Sequence, residues 1–106
     1  MKFKNVTVEK ILNVYFDGNV TSRNIIFEDT SIKTLGLMLI GNYEFNTSKK
    51  EIMEITTGEL DVLIKGENDW KNYKEGTSFE VPENSSFKVK VNKITNYCCS
   101  YIDTNG

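Results

Sequence analysis

The residues that could do chemistry in this chain are limited, because histidine is absent among its 106 residues. Without an imidazole, Ser-His-Asp and Cys-His mechanisms are excluded, and the commonest metal ligand is missing. The two cysteines, Cys98 and Cys99, are adjacent, so on a strand their side chains would point to opposite faces. Any reaction must therefore use carboxylates, lysines, hydroxyl groups and the backbone.

Glu51 is the best single candidate for a functional carboxylate. It begins a set of alternate residues with Met53, Ile55 and Thr57, which is otherwise uncharged and is predicted to face inward. A carboxylate in such surroundings can stabilise positive charge that develops during a reaction. The alternative is a solvated glutamate at the end of a loop that contains the lysines at 49 and 50.

The elements that must position these residues are short strands. Apolar and polar residues alternate in several segments, and turn-prone sequences, including those at Gly58, Gly76 and Pro82, separate them. No segment keeps a helical period for more than a turn or two. The pattern predicts a single all-β domain, either a sandwich or a small barrel. The alternating segments are 42–47, 59–65, 78–81, 87–92 and 97–101.

Composition and charge exclude several classes of function. The net charge is −2, so no basic excess is available to neutralise a nucleic-acid backbone. The longest mostly apolar run, 35–41, is too short to span a bilayer, and no apolar segment follows the first lysines as in a secretory signal. With cysteines that do not pair easily, these features predict a cytoplasmic protein that binds neither nucleic acid nor membrane.

Two spacings resemble the signature motifs of the cupin superfamily: Glu51-x6-Gly58 and Gly76-x5-Pro82. The histidines of those motifs are replaced here, so only the carboxylate remains. A single carboxylate makes a poor site for Zn or Fe. The resemblance therefore implies a cupin jelly roll that binds no metal and uses no cofactor. The positions of the replaced histidines are Phe45, Thr47 and Phe87.

A longer co-linear match, from about 13 to 102, resembles the small pyrimidine/purine nucleoside phosphorylases. Two basic positions of that pattern are occupied by Asn19 and Ile32. The match predicts a cupin domain over 13–106, preceded by an arm or edge strand over 1–12. The segments that carry it are 13–20, 36–47, 51–62, 69–87 and 95–101.

The family resemblance implies an activity with broad base specificity. A purine or pyrimidine nucleoside and inorganic phosphate would become a free base and α-D-ribose 1-phosphate. Such a reaction passes through an oxocarbenium-like sugar, so it needs an anion site, a group that faces the sugar and stabilisation of the departing base. Glu51, Tyr43 and Thr47 are the catalytic candidates. The substrate-binding candidates are Phe45, Met53, Phe87, Tyr97, Ser85 and Lys33.

Most of these candidates also have a purely structural interpretation. Tyr43 and Thr47 could be core residues whose hydroxyls have backbone partners, and Ser85 could be an ordinary turn residue. Packing alone would explain the aromatic and methionine candidates.

At the level of the whole chain, the alternative to an enzyme is a cupin module that binds a nucleoside or sugar without turnover. Both hypotheses use the same pocket, and phosphate-dependent release of free base discriminates between them. The family resemblance further implies a homodimer, to which the unpaired strand edge of 1–12 would contribute.

Overall fold

A computed structural model describes residues 2–103 and contains nine β-strands. The chain between β2 and β3 makes a single 3-10 turn, Phe16–Gly18. Within the described range, no helix is long and apolar enough to cross a membrane. The strands are β1 Thr7–Val8, β2 Asn13–Tyr15, β3 Val20–Ile26, β4 Ile32–Met38, β5 Gly41–Asn46, β6 Lys50–Ile64, β7 Lys71–Lys74, β8 Ser78–Val81 and β9 Ser86–Ile102.

Two long antiparallel strands, β6 and β9, form the centre of the fold. Their pairing runs from Lys50 opposite Ile102 to Ile64 opposite Phe87. One half of this ribbon continues into β4 and β8, and the other half continues into β5 and β7. The sheet order is β1-β3-β4-β9-β6-β7, with β2 on β3, β5 on β9 and β8 on β6. This architecture confirms the predicted all-β jelly roll.

The core lies between the two halves and is formed by alternate residues of each strand. In β9, Phe87 and Val89 are buried, whereas Lys88 and Lys90 are exposed. The period of two therefore places apolar side chains inside and charged ones in solvent, as the sequence predicts. The largest fully buried side chains are Met38, Ile55, Leu60, Val20, Val81 and Val89.

The first residues pack against the outer side of β3. Arg23 donates from Nη1 to the backbone carbonyls of Glu9, at 3.2 Å, and Lys10, at 3.0 Å. The ring of Phe3 meets the ring of Phe27 edge-on, with 5.0 Å between centroids. Strand β1 adds to the edge of β3. Within residues 2–103, the other edge of β1 pairs with no strand.

The sequence predicts a turn at Gly58, but this residue lies in a bulge within β6. Its φ is +98°, a left-handed conformation that side chains rarely adopt. A Cβ there would lie 2.5 Å from the carbonyl oxygen of Ile94 and 2.5 Å from Oγ1 of Thr95. The bulge bends β6 from one half of the barrel to the other, and only glycine fits this close approach.

Replacing Gly58 by alanine should destabilise the protein strongly. Both the left-handed φ and the contact with the neighbouring strand oppose a Cβ, so we expect a loss of more than about 1 kcal/mol. For a domain of this size the melting temperature should then fall by at least about 4 °C in thermal unfolding. Gly66→Ala is the matched control, because φ is +91° there but the Cβ would meet open space. Equal losses for the two variants would contradict the role of the close approach.

Candidate functional site

A cavity of about 140 Å³ opens between the two halves of the barrel, and Glu51 lies in its wall. Strands β3, β4, β6 and β9 form its floor, and β5 with the start of β9 forms the opposite wall. The polar lining residues are Ser22, Thr34, Asn46, Glu51 and Tyr101. The apolar and aromatic lining residues include Met38, Phe45, Met53, Phe87 and Tyr97.

Strand register brings a small hydrogen-bonded cluster to Glu51. Glu51 pairs across the ribbon with Tyr101, and the next inward residue of β9 is Cys99. The Cys99 thiol donates to Oε1 of Glu51, with 3.5 Å between sulfur and oxygen. On the other side, the hydroxyls of Tyr101 and Thr34 lie 3.2 Å apart. The carboxylate thus accepts one hydrogen bond, from the Cys99 thiol, and the Tyr101–Thr34 hydroxyl pair lies across the ribbon from it.

Burial governs the electrostatics of this cluster. It raises the pKa of the Glu51 carboxyl, and the thiol hydrogen bond from Cys99 opposes the shift. Burial, followed by the nearby Glu51 charge, raises the pKa of the Cys99 thiol. Burial likewise raises the pKa of the Tyr97 and Tyr101 phenols. At neutral pH the site therefore presents a protonated thiol and protonated phenols beside the Glu51 carboxyl, and within residues 2–103 no lysine or arginine lines the cavity.

The donor set does not fit a transition-metal centre. In the described part of the chain, no group of three or more Cys, Asp or Glu side chains comes together in a way that could hold a metal ion. The thiol bonded to Glu51, that of Cys99, is protonated, and a protonated thiol is a poor ligand.

Five of the sequence candidates lie together in the cavity wall. The rings of Phe45 and Phe87 are stacked with centroids 5.3 Å apart, and they form the apolar wall opposite the sheet. Met53 and Tyr97 lie on the floor with Glu51. This grouping follows from alternation, because each of these residues occupies an inward position of its strand.

Tyr43, Thr47 and Ser85 do not line the cavity, and the hydroxyls of Tyr43 and Thr47 and the backbone N–H of Ser85 have structural partners. The Tyr43 hydroxyl donates to the carbonyl of Leu39 at 2.8 Å. Oγ1 of Thr47 donates to the carbonyl of Pro82 at 2.6 Å and accepts from the backbone N–H of Ser85 at 2.9 Å. These bonds tie the end of β5 to the turn between β8 and β9. The structural interpretation of these three residues therefore accounts for their contacts.

Lys33 lies on the outer face of the sheet. Its neighbour Thr34 faces the cavity, so strand alternation directs the Lys33 side chain the other way. The ammonium lies 5.7 Å from the ring centroid of Phe3 and 5.8 Å from that of Phe27. The substrate-binding candidates Lys33 and Ser85 are thus both outside the cavity lining.

Sequence reasoning missed Gly36, which shapes the cavity floor. A Cβ at Gly36 would lie 2.3 Å from Cζ of Tyr97 and 2.6 Å from the carbonyl oxygen of Thr21. The Tyr97 ring therefore lies across the glycine, and its hydroxyl is 3.5 Å from the Thr21 oxygen. A glycine within a strand is a signal for such a close approach. The lining residues that were missed are Tyr15, Ser22, Thr34, Met38, Asn46, Cys99 and Tyr101.

The two free cysteines face different environments. Cys99 faces the cavity, whereas Cys98 faces a groove of about 600 Å³ on the outer side of the sheet. Phe3, Leu35 and Glu54 also line this groove. Burial raises the pKa of the Cys98 thiol to about 11.

Comparison with solved structures defines the class of the protein as a cupin-type jelly roll. The chain superposes on the cupin domain of Schizosaccharomyces pombe Cnp3 with a TM-score of 0.67 at 16% identity, covering 89% of this chain and 69% of that one. It superposes on a protein of unknown function from Acinetobacter sp. ADP1 with a TM-score of 0.93 at 39% identity, covering 95% and 98% of the two chains.

Sequence comparison then identifies the family. The model of the pyrimidine/purine nucleoside phosphorylase family matches residues 10–101. A relative from Geotalea uraniireducens, named pyrimidine/purine nucleoside phosphorylase, is 55% identical over 102 residues, which are 96% of this chain and 98% of the relative. The chain belongs to the pyrimidine/purine nucleoside phosphorylase family.

The raised pKa of Glu51 should make stability depend on pH in a defined direction. The folded state holds the Glu51 proton more tightly than the unfolded state, so the associated stability is complete below the ordinary pKa of 4.5. This stability is lost as the pH rises through the raised pKa that Glu51 has in the folded state. Glu51→Gln stays neutral, so its stability relative to wild type should increase between about pH 4 and pH 7.

Urea unfolding at both pH values measures this difference. Glu54→Gln is the matched control, because Glu54 is exposed on the opposite face of the same strand. A stability difference between Glu51→Gln and wild type that stays constant with pH would contradict the assignment.

Proposed function

We propose that this chain is a nucleoside phosphorylase of broad base specificity. The observation that carries the proposal is the half-buried Glu51 carboxylate, which accepts a hydrogen bond from the Cys99 thiol in the cavity wall, in a chain of this family. Its substrates would be purine and pyrimidine nucleosides and inorganic phosphate. The relatives named pyrimidine/purine nucleoside phosphorylase support the activity over nearly the full length of the chain.

In this reaction a phosphate oxygen forms a bond to C1 of the ribose while the glycosidic C–N bond breaks. The bonding electron pair leaves with the base, which takes up a proton, and the sugar is released as α-D-ribose 1-phosphate. In the transition state the old bond is largely broken before the new one has formed, so positive charge builds up on the sugar. A nearby carboxylate stabilises that charge, and the effect is large where water is excluded.

Glu51 is the residue to which we assign this electrostatic role. The Cys99 hydrogen bond occupies Oε1, which orients the carboxylate and leaves Oε2 without a partner in the described structure. Hydroxyls of Ser22, Thr34 and Tyr101 can donate to oxygens of ribose or phosphate. In this proposal the apolar wall, with Phe45 and Phe87, excludes water, and Met53 packs beside the carboxylate.

Tyr43, Thr47 and Ser85 act indirectly in this proposal. Tyr43 packs beside Phe45, with 6.5 Å between ring centroids, and Thr47 holds the strand end next to the cavity residue Asn46. We assign them the role of holding the apolar wall in place. We assign no phosphate contact to Lys33, because its ammonium lies over rings on the outer face.

Glu51→Gln tests the proposal, because it removes the charge while preserving size. We expect kcat to fall on the order of 100- to 1000-fold, with a smaller effect on KM, because the lost interaction acts on the transition state. The assay measures free uracil and hypoxanthine from uridine and inosine, with and without phosphate. Wild-type turnover in EDTA should equal turnover without it, because the site holds no suitable ligand set.

Glu54→Gln again provides the control, since it removes a carboxylate from the same strand but outside the cavity. It should keep wild-type turnover. Saturable nucleoside binding without product would favour the non-enzymatic module instead. Near-full activity of Glu51→Gln would show that the glutamate is structural.

We propose further that the protein is a cytoplasmic homodimer. Two buried free thiols suit a reducing compartment. Residues 1–12 would act as an arm distinct from the domain over 13–106, because β1 and β2 leave unpaired edges. Apolar side chains are exposed along these edges. They are Val8, Ile11, Leu12 and Val14.

Light scattering at micromolar concentration tests the dimer. We expect twice the chain mass of 12.2 kDa. Removal of 1–12 should shift the equilibrium towards monomer, because it removes apolar surface from the interface. A single species of 12.2 kDa for the full chain would contradict the proposal.

A further inference from the structure

Tyr15 is an aromatic residue at the mouth of the cavity, and core packing does not explain its position. It ends β2 and is 45% exposed, yet it lines the same cavity as Glu51. An exposed aromatic ring beside a cavity is a suitable surface for a flat, partly apolar ligand group.

The turn that follows Tyr15 is strained but firmly held. Phe16 and Asp17 have φ values of +51° and +56°, a conformation that is uncommon for a bulky residue such as Phe16. The carbonyl of Phe16 accepts from the backbone N–H of Asn19 at 3.0 Å and from its side-chain amide at 2.8 Å. Strain of this kind persists only where the surroundings impose it, and it is common at functional sites.

Aromatic packing fixes the same turn from the other side. The ring of Phe16 lies 5.0 Å from that of Tyr43 and 5.5 Å from that of Phe45, which belongs to the cavity wall. The backbone of Tyr15 is therefore held by its pairing with Val20 and by the turn that follows it, so little backbone ordering is left to oppose binding.

The size of the cavity indicates which part of a nucleoside it can enclose. Sites that enclose a small ligand commonly have about 300–1,000 Å³, whereas this cavity has about 140 Å³. The carboxylate that would stabilise the sugar lies in the wall, and Tyr15 lies at the mouth. A nucleoside bound with its ribose at Glu51 would therefore place its base outside the enclosed space.

We propose that Tyr15 binds the nucleobase by stacking at the cavity mouth while the ribose lies inside beside Glu51. This inference rests on the proposed function and adds the residue that receives the base. Stacking uses the π-face that every base has, so it tolerates purines and pyrimidines alike. A mouth built this way gives binding without base-specific hydrogen bonds, which is what broad specificity needs.

Equilibrium binding in the absence of phosphate tests the inference without turnover. Isothermal titration calorimetry of uridine, inosine and ribose 1-phosphate would compare wild type with Tyr15→Ala, Tyr15→Leu and Tyr15→Phe. We expect Tyr15→Ala and Tyr15→Leu to weaken both nucleosides by about 10-fold or more, and Tyr15→Phe to stay within about 2-fold of wild type. Ribose 1-phosphate has no base, so its affinity should not change.

Trp70→Ala is the matched control. Trp70 is another half-exposed aromatic residue, 38% exposed, but it lies outside the cavity lining with the Lys90 ammonium 4.2 Å from its ring centroid. Its removal should leave the affinity for all three ligands unchanged. Melting temperatures of the Tyr15 variants near that of wild type would verify that they fold.

The outcomes separate this inference from the proposed function. Unchanged nucleoside affinity in Tyr15→Ala, with active wild type, overturns the stacking role and leaves the phosphorylase. An equal loss of ribose 1-phosphate affinity also overturns it, because the effect would then be structural. Tyr15-dependent binding without any release of base supports the stacking role and overturns the phosphorylase. Absence of nucleoside binding by wild type, together with no release of base when phosphate is added, overturns both.

Discussion

The pairing of β6 with β9 is the constraint on which the rest of the structure depends. Both strands pass through both halves of the barrel, and their pairing, which changes register between Ile55 and Leu60, decides which residues face inward in each half. A shift by one residue would move the Glu51 side chain to the outer face and bring its neighbours inside. The bulge at Gly58 lets β6 bend, and the pairing with β9 resumes beyond it in a shifted register.

Alternation made much of this fold predictable from sequence. The inward set that begins with Glu51 and Met53, and the set Tyr97, Cys99 and Tyr101, have the expected direction in the structure. The prediction of a turn at Gly58 was wrong, because a left-handed glycine is common to turns and bulges and only the partner strand distinguishes them. The residues next to Gly58 in the sequence do not show which strand will pair with it.

The candidate site was less predictable than the fold, for a related reason. Tyr43 and Phe45 share a face of β5, yet only Phe45 reaches the cavity, because the Tyr43 hydroxyl is drawn to the carbonyl of Leu39. The pairing registers between β2, β3, β4 and β9 bring Ser22 and Thr34 into the site. The sequence alone does not reveal these registers. Burial of an ionised carboxylate opposes folding, so stability alone does not explain the half-buried glutamate at position 51.

The adjacent thiols of Cys98 and Cys99 give the molecule two native reporters of local opening. Thiol reagents attack the thiolate, and burial keeps both groups protonated at neutral pH, so labelling must wait for a fluctuation that exposes them. Movement of the segment around Phe3 would uncover Cys98, whereas separation of the barrel halves would uncover Cys99. The labelling kinetics of the two thiols therefore report separately on opening of the outer face and of the interior, although the two cysteines are adjacent in the chain.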